Sequence, residues 1–407
     1  MEENKQQGIL FTIPKDKTER LIKVIGVGGG GGNAVKSMYE KGVKNVSFAV
    51  CNTDSQALSK SPIPVRIQLG EEGLGVGGNP EKGREKAEES MKDIELLFND
   101  ETKMVFITAG LGGGTGTGAA PLIAQKAREH GLLTVGVVTL PFRFEKKARM
   151  EKALAGVEEM KNNVDALLVV NNERLLEIYS DTMVSIDEAF GKADDILTVA
   201  TKTISEVITE EGIINRDFKD VETVMKDGSG AIVAVGYGSG EKRIIKAMKD
   251  ALNSPLLNTR EIENAQRLLY IIYSCNEKPV GITELREINE FMDTLPEDIE
   301  VLWGLYHDDT IGEQVKVAIV ATGFDKAREQ KQNAEEKSET IKRLWEMYYP
   351  DSHKPAEADQ SDVQTREEEV DDIEDSVTED AASDRRGRKQ TWYKSLWEFV
   401  KTSLEEE

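Results

Sequence analysis

Short hydrophobic runs alternate with amphipathic stretches along most of the chain. Five runs in the first half are rich in β-branched residues and read as buried strands: LIKVIGVG, SFAVCNT, MVFITAG, LLTVGVVTL and DALLVVNN. Amphipathic segments such as NAVKSMYEKG and AAPLIAQKAREHG separate them. This alternation predicts βαβ units, and therefore an α/β fold with a parallel sheet covered on both faces. Such sheets bind ligands at the rim formed by the carboxyl ends of their strands.

One long helix is predicted between Ser185 and Glu211. Ser185 and Glu188 have the spacing of a capping box, and Gly212 ends the segment. Apolar side chains recur every three or four positions, at Ile186, Phe190, Ala193, Leu197, Ala200, Ile204 and Ile208. A helix of about 25 residues spans roughly 37 Å at 1.5 Å per residue, which is the height of a domain.

A second, smaller α/β region follows the long helix. Its predicted strands and helix are GAIVAVGYG, LLYIIYSC, EVLWGLYHD, VKVAIVATG and KRIIKAMKDALNS. The pattern ends near residue 325.

Composition narrows the functional classes. The formal net charge of −23 argues against nucleic-acid binding by the whole molecule, because phosphate backbones attract Lys and Arg. Cys51 and Cys275 are isolated, which suits a reducing cytoplasm. The three histidines form no metal-ligand pattern, so no metal site made of protein side chains is predicted. No signal peptide and no apolar span is recognisable, and we expect a cytosolic protein without direct membrane insertion.

The last 80 residues differ in composition from the rest. Residues 355–380 carry twelve acidic side chains against one arginine, which predicts a disordered linker. A basic cluster follows at 385–389, and apolar residues then recur at helical spacing, at Trp392, Tyr393, Leu396, Trp397, Val400 and Leu404. This amphipathic helix fits either a groove on a partner protein or a membrane surface. Glu405, Glu406 and Glu407 disfavour anionic lipid, and we prefer partner docking.

Two glycine clusters stand where predicted strands meet helices. The first, from Gly26 to Asn33, precedes a helix predicted from Ala34. Glycine lacks a Cβ, so its backbone N–H groups can approach phosphate oxygens beside the positive end of a helix. The spacing Gly26-x-Gly28-x-x-Gly31 also satisfies the dinucleotide fingerprint, with Asp54 as the acidic residue that follows, so an oxidoreductase is an alternative.

The second cluster, GGGTGTG at 112–118, favours a nucleoside triphosphate. It adds two threonine hydroxyls to a glycine backbone, and it is not a Walker A loop because no Gly-Lys-Ser/Thr follows. Two phosphate-type loops in one sheet fit a triphosphate better than a single fingerprint does.

The second cluster and its surroundings resemble the tubulin/FtsZ family of GTPases, in its bacterial cell-division branch, over about residues 21–325. The matching motifs are GVGGGGGNAV, NTDSQAL, GLGVGGNPEKGREKAEE, TAGLGGGTGTGAAP, PFRFEKKARM, NNERLL, FGKADDIL and INRDFKDV. The resemblance implies GTP binding with Mg²⁺, hydrolysis to GDP, and head-to-tail polymerisation into filaments of the cytokinetic ring. It also implies a GTP-binding domain at 21–184, a central helix at 185–211 and a polymerisation domain at 212–325. Outside the matched region, composition predicts a flexible tail at 1–20, a linker at 326–389 and a docking helix at 390–407.

The resemblance assigns the nucleotide-binding residues. The phosphate loops correspond to Gly28, Gly29, Gly30, Gly31, Gly32, Asn33, Gly112, Gly113, Gly114, Thr115, Gly116 and Thr117. Gly77, Gly78 and Asn79 line the γ-phosphate side, and Asp54 is a further nucleotide-binding residue. Glu145 resembles the ribose-binding carboxylate and Arg149 a ligand contact. Without the family context, Glu145 and Arg149 would read as a surface ion pair at i and i+4.

Asn172 and Asp194 resemble the guanine-reading residues, and Phe190 would stack on the base. A carboxylate can accept both guanine N–H donors, which distinguishes GTP from ATP. The periodicity of the long helix supports a core position for Phe190 equally well.

The resemblance places catalysis on Asn215, Asp217 and Asp220, directly after the long helix. This loop would enter the nucleotide site of the next subunit and polarise the attacking water. An exposed acidic loop is the alternative, in which the protein is a non-catalytic, nucleotide-gated scaffold. A relative that serves plasmid segregation or cell shape is also consistent with the motifs.

The chain departs from the family pattern at four places. Arg216 stands where an apolar residue is usual, and Leu140 and Lys146 replace a basic residue and a glycine. The usual C-terminal docking peptide is absent, and the Trp-rich helix occupies its place. We therefore expect an FtsA-like membrane tether, or another division protein, to bind residues 390–407 at the mid-cell ring.

Overall fold

The computed structural model describes residues 20–173, 186–209, 218–252, 265–293 and 299–323. All of them fall in one compact unit. The strands are β1 (Ile22–Val27), β2 (Val46–Asn52), β3 (Val65–Gln68), β4 (Met104–Gly110), β5 (Leu133–Leu140), β6 (Ala166–Asn171), β7 (Ser229–Gly238), β8 (Arg267–Ser274), β9 (Glu300–His307) and β10 (Val315–Thr322).

The described helices are α1 (Gly28–Glu40), α2 (Ser55–Ser59), α3 (Pro80–Glu89), α4 (Met91–Glu95), α5 (Thr115–Glu129), α6 (Lys147–Asn163), α7 (Ile186–Thr209), α8 (Phe218–Met225), α9 (Arg243–Leu252) and α10 (Glu284–Asp293). Short 3₁₀ turns occur at Leu96–Phe98, Arg143–Glu145 and Asp309–Ile311. No helix among the described residues is long and apolar enough to cross a membrane.

The strands follow the order β3-β2-β1-β4-β5-β6-β7-β10-β8-β9. Strands β1 to β6 are parallel, as the sequence predicts. The second region is mixed, because β10 runs antiparallel to β7 and β8 while β8 and β9 are parallel. Only two residue pairs join β6 to β7, Ala166 with Ser229 and Leu167 with Gly230. The predicted domain boundaries within this continuous order stay a prediction.

Hydrophobic cores cover both faces of the parallel part of the sheet. On one face α1, α7 and α8 pack through Ala34, Met38, Leu197, Ala200, Ile204, Val221 and Val224. On the other, α3, α5 and α6 pack through Ala87, Ala119, Ala120, Ile123, Ala124, Ala153 and Met160. In β1, Ile22 and Val24 belong to the first core, and Ile25 and Val27 belong to the second. Burial on both faces explains why the strands read as continuous hydrophobic runs.

The predicted long helix is present as α7, with 24 residues. Its predicted cap at Ser185 and its stop at Gly212 lie outside the described residues. The prediction of helix α1 from Ala34 was wrong, because α1 begins six residues earlier at Gly28, directly after β1. The glycines are therefore the first turns of the helix rather than a loop before it.

Candidate functional site

Two helices begin side by side at the carboxyl ends of neighbouring strands. Strands β1 and β4 pair in parallel, with Val27 opposite Ala109. Helix α1 starts at Gly28, and α5 starts at Thr115. A Cβ placed on Gly28 would lie 2.9 Å from the amide nitrogen of Gly116, so the two helix starts touch through their backbones. The first amides of each helix lack intrahelical partners and carry partial positive charge, which suits bound phosphate.

The glycines at this rim fall into two groups. At Gly31 an added Cβ would lie 2.2 Å from the carbonyl oxygen of Thr108, and at Gly116 it would lie 2.5 Å from that of Gly110. Closed positions of this kind, where a Cβ would approach a neighbour to 3.1 Å or less, are Gly28, Gly30, Gly31, Gly112, Gly114 and Gly116. Nothing lies within 4 Å of such a Cβ at the open positions, which are Gly29, Gly32 and Gly113. The closed group fixes the packing, and the open group leaves room for a ligand beside exposed Asn33.

The two threonines of the second cluster have different surroundings. The hydroxyl of Thr115 lies 2.7 Å from that of Thr53, which follows β2. Thr117 is buried, and its hydroxyl accepts a hydrogen bond from the amide of Gly112 at 2.9 Å. The Thr117 hydroxyl therefore helps to fix the shape of the loop through the amide of Gly112.

The segment Gly77–Asn79 borders the second cluster. A Cβ on Gly114 would lie 2.9 Å from the amide nitrogen of Asn79. Asn79 caps α3, since its side-chain oxygen accepts from the amides of Glu81 and Lys82. Gly77 and Gly78 are exposed and have positive φ angles of 58° and 73°. This conformation favours glycine and leaves their backbone amides accessible.

Asp54 follows the end of β2 and caps α2. Its Oδ1 accepts hydrogen bonds from the amides of Gln56 and Ala57 at 2.9 and 3.2 Å. Next to it, the carbonyl of Thr53 accepts from the amide of Gly75. Asp54 thus anchors the start of a loop at the rim, and its contact with nucleotide stays a prediction.

Glu145 and Arg149 form the ion pair that the alternative interpretation of the sequence predicts. Oε2 of Glu145 lies 2.8 Å from Arg149, and Oε1 accepts from the amide of Phe142. The pair nevertheless borders the phosphate loop, because a Cβ on Gly112 would lie 2.8 Å from Cγ of Arg149. The geometry keeps the Glu145 carboxylate on the α6 side of the rim.

The residues predicted to contact guanine lie on separate elements, with Asn172 after β6 and both Phe190 and Asp194 in α7. Asn172 follows β6 and is buried, and its Oδ1 has no hydrogen-bond partner within the described residues. A buried acceptor without a donor is costly, and an N–H from a ligand would satisfy it. The side chain of Phe190, on α7, lies outside the described residues.

Asp194 lies in α7, which packs against α1. Burial raises the pKa of its carboxyl to about 6, the charge of Asp195 adds to the shift, and Lys41 opposes it. Lys41 and Asp195 form an ion pair, which leaves Asp194 as the less compensated carboxylate. Ligand N–H donors would stabilise the ionised form of Asp194.

The predicted catalytic residues Asn215 and Asp217 lie outside the described residues, and Asp220 is in α8. The chain leaving α8 reaches the opposite rim of the sheet, which is formed by the amino ends of the parallel strands. Asp227 lies 3.5 Å from Arg128, near the C-terminal end of α5, whose first residue is Thr115. Arg128 lies thirteen positions after Thr115 along the helix, a distance of about 20 Å at 1.5 Å per residue.

The rim offers backbone amides and hydroxyls rather than metal ligands. Across the described ranges, no group of three or more His, Cys, Asp or Glu side chains could hold a metal ion. Two further rim residues, Thr53 and Lys152, were not predicted. Thr53 could have been found from its place beside Asp54 at a strand end, whereas no sequence signal marks Lys152, which donates to the carbonyl of Gly78 at 2.8 Å.

Comparisons with known proteins show the family to which the chain belongs. Residues 21–180 match the family model for the GTPase domain of the tubulin/FtsZ family. Residues 229–325 match the model for the C-terminal domain of the FtsZ family. The cell division protein FtsZ of Porphyromonas gingivalis is 54% identical over 309 residues, which cover 75% of this chain and 67% of that protein. FtsZ of Aquifex aeolicus is 42% identical over 329 residues, covering 79% and 88%.

Solved structures show the same architecture. An empty FtsZ dimer from M. jannaschii superposes with a TM-score of 0.69 at 39% identity, covering 76% of this chain and 89% of that one. CetZ2 from Haloferax volcanii, at 18% identity and a TM-score of 0.64, shows the fold alone. Together, the two domain models and the relatives show that the chain belongs to the tubulin/FtsZ family of filament-forming cell-division GTPases.

Proposed function

We propose that GTP binds along the carboxyl-end rim of the parallel strands and is hydrolysed only where two subunits meet head to tail. The α- and β-phosphates lie at the paired helix starts, against the open backbone of Gly29 and Gly113. The γ-phosphate faces the segment Gly77–Asn79. The support for this placement is the rim geometry, with two helix starts in backbone contact and open space beside Gly29 and Gly113.

The base and the ribose occupy the rim beside the phosphates. Asn172 accepts a hydrogen bond from the base through its buried, unpartnered Oδ1. Asp194 accepts the guanine N1–H and N2–H donors, and Phe190 stacks on the ring. Glu145 turns from Arg149 to the ribose hydroxyls. Asp54 holds the loop that closes the γ-phosphate side.

The neighbouring subunit completes the site. Its Asn215, Asp217 and Asp220 orient and polarise the water that attacks the γ-phosphate. A Mg²⁺ ion would be held here by the nucleotide rather than by protein carboxylates, and it would supply neutralisation of the charge that develops on the departing phosphate. The rim residues fit a nucleotide that brings its own cation, since backbone amides and hydroxyls bind phosphate and no group of three or more His, Cys, Asp or Glu side chains in the described ranges could hold a metal ion.

One observation carries the shared site. Helix α5 runs from the phosphate rim to the opposite rim of the sheet, where Arg128 contacts Asp227. Asp227 lies nine residues after Phe218, the first residue of α8. A single subunit therefore has its glycine loops and the chain that follows its catalytic acids about 20 Å apart. When copies stack head to tail, the phosphate rim of one subunit meets the opposite rim of the next, which is an open heterologous interface.

Mixing two inactive variants tests the shared site. Asp220→Asn keeps its own nucleotide rim but supplies a defective catalytic loop, and Gly29→Val has the opposite defect. We expect each variant alone to hydrolyse GTP slowly. The equimolar mixture should recover up to roughly a quarter of the wild-type rate, because one junction in four then pairs an intact rim with an intact loop. A mixture no faster than the sum of the two variants would refute a site shared between subunits.

We further propose that the protein acts in the cytoplasm at the mid-cell ring and that residues 390–407 dock onto an FtsA-like tether or another division protein. The relatives from Porphyromonas gingivalis and Aquifex aeolicus are cell division proteins, which supports this location. The apolar stripe and the terminal glutamates support a protein groove. A chain shortened to residue 389 should keep its GTPase rate and lose its place at mid-cell. Unchanged mid-cell localisation, or binding of a 381–407 peptide to anionic vesicles at physiological salt, would contradict docking.

A further inference from the structure

The segment Gly77–Asn79 is held at one end and open in its middle. At its C-terminal end, Asn79 caps α3, and α3 packs directly on α5. A Cβ on Gly83 would lie 2.4 Å from the carbonyl oxygen of Gly114, and one on Gly118 would lie 1.9 Å from that of Pro80. Helix α3 therefore has a fixed position relative to the phosphate loop.

The middle of the segment lacks such packing. Gly77 and Gly78 are exposed, and nothing lies within 4 Å of a Cβ placed on either residue. Two successive glycines with positive φ have access to many backbone conformations. A contact that selects one of these conformations would lower the entropy cost of closing the segment on a ligand.

Lys152 makes that contact from helix α6. Its Nζ donates to the carbonyl oxygen of Gly78 at 2.8 Å. Helix α6 is itself fixed on both sides of Lys152. One turn earlier, Arg149 packs against Gly112, and one turn later a Cβ on Gly156 would lie 2.7 Å from the Thr117 methyl group. Through α6, the lysine thus fixes the middle of the segment relative to the phosphate loop, against which α3 also packs.

We propose that Lys152 is a positioning residue for the γ-phosphate segment and favours nucleoside triphosphate over diphosphate. This inference rests on the proposed placement of the γ-phosphate beside Gly77–Asn79. The lysine acts through the Gly78 carbonyl, which holds the backbone amides of the segment in place for the terminal phosphate. A diphosphate does not reach the segment, so its binding does not depend on the lysine.

Nucleotide affinities of full-length variants test the proposal. We expect Lys152→Met to weaken binding of fluorescent GTPγS about threefold to fivefold, the effect of losing one exposed hydrogen bond. Its affinity for fluorescent GDP and its unfolding temperature without nucleotide should equal those of wild type. Lys152→Arg keeps a charged donor and should retain most of the GTPγS affinity. All titrations use protein concentrations below those at which light scattering shows assembly.

Lys147→Met is the matched control, because it removes the same charge from α6. The Lys147 side chain is 89% exposed and pairs with Glu151 on its own helix. Equal losses for GTPγS and GDP in Lys152→Met, no loss for either, or the same loss in Lys147→Met would overturn the role of Lys152. Gly77→Val separates this failure from failure of the proposed site. If that variant binds both nucleotides like wild type, the segment does not border the γ-phosphate, and the proposed site itself is wrong.

Discussion

Gly31 and Thr108 touch backbone to backbone, since a Cβ on Gly31 would lie 2.2 Å from the Thr108 carbonyl oxygen. Gly31→Ala therefore has to push α1 away from β4, and we expect it to lower the free energy of unfolding by about 3 kcal/mol. Gly32→Ala, the adjacent position with open space, should raise stability by about 0.5–1 kcal/mol, because alanine favours helix. Urea unfolding monitored by circular dichroism checks both, and equal effects of the two substitutions would contradict the packing.

Substitution of the open glycine Gly29 should weaken nucleotide binding without lowering stability, in contrast to substitution of Gly31. A methyl group there meets no protein atom within 4 Å but projects into the space assigned to phosphate. We expect Gly29→Ala to unfold at or above the wild-type temperature while its affinity for GTP falls at least about tenfold, a loss of about 1.4 kcal/mol. Calorimetric titration with GTP measures the loss. Wild-type affinity in Gly29→Ala would move the phosphates away from the start of α1.

Asp194 should make GTP binding depend on pH. Its carboxyl has a pKa of about 6, raised mainly by burial, and only the ionised form accepts both guanine donors. Lowering the pH from 7.5 to 5.5 should therefore weaken binding about fourfold, because the ionised fraction falls by that factor. The Asp194→Asn variant should bind GTP weakly with no such dependence. A pH profile that is the same in wild type and variant would exclude Asp194 as the reader of the base.

The same substitution should stabilise the protein without nucleotide. Because the pKa of Asp194 in the folded state lies above its unfolded value, folding is favoured while the carboxyl is protonated, and that stability is lost as pH rises through 4 to 6. At pH 7 the ionised, partly buried Asp194 is a net cost. We expect Asp194→Asn to unfold at a higher temperature than wild type at pH 7 and at a similar temperature near pH 4. Destabilisation at pH 7 would show that Asp194 has a structural partner.

Lys316 should be essential for the contact between α7 and β10. Its buried Nζ lies 3.2 Å from Oε2 of Glu206, 3.4 Å from Oδ2 of Asp308 and 3.7 Å from the centre of the Tyr273 ring. Burial alone would raise the pKa of Asp308, but hydrogen bonds from Thr310 and the charge of Lys316 hold it below its usual range. Lys316→Met leaves two acids without their shared cation and should cost about 3 kcal/mol.

Lys202→Met provides the control for Lys316→Met. Lys202 pairs with the other oxygen of Glu206 at 3.4 Å, but half of its side chain is exposed, so its removal should cost less than about 1 kcal/mol. Denaturant unfolding of both variants measures the difference. Equal decreases in the free energy of unfolding of the two variants would mean that the burial of Lys316 does not strengthen its ion pairs.

The sequence predicts the strands and the long helix because both carry strong, unbroken apolar patterns. It misses the four-residue strand β3, which carries two polar residues among Val65–Gln68. It also starts α1 six residues late. Glycine has low helix propensity, and the packing of Gly31 on Thr108, which fixes those turns in the helix, depends on residues 77 positions apart.

The candidate site was predictable only where chemistry follows from residue type. Glycine loops at strand ends indicate phosphate, and the structure brings Gly28 and Gly116 into contact. By contrast, the different roles of Thr115 and Thr117 depend on which neighbour each hydroxyl meets in space. Lys152 is a lysine on an exposed helix surface, and only the fold places it beside Gly78.

The backbone contacts between α3 and α5 have a mechanical consequence. Where Gly83 meets Gly114 and Gly118 meets Pro80, no side chain stands between the two helices. Side chains can absorb a small displacement by changing rotamer, and bare backbones cannot. A shift of a few tenths of an ångström in the phosphate loop must therefore move α3 as a rigid body. The displacement would reach Glu89 at the C-terminal end of α3 and the turn into α4.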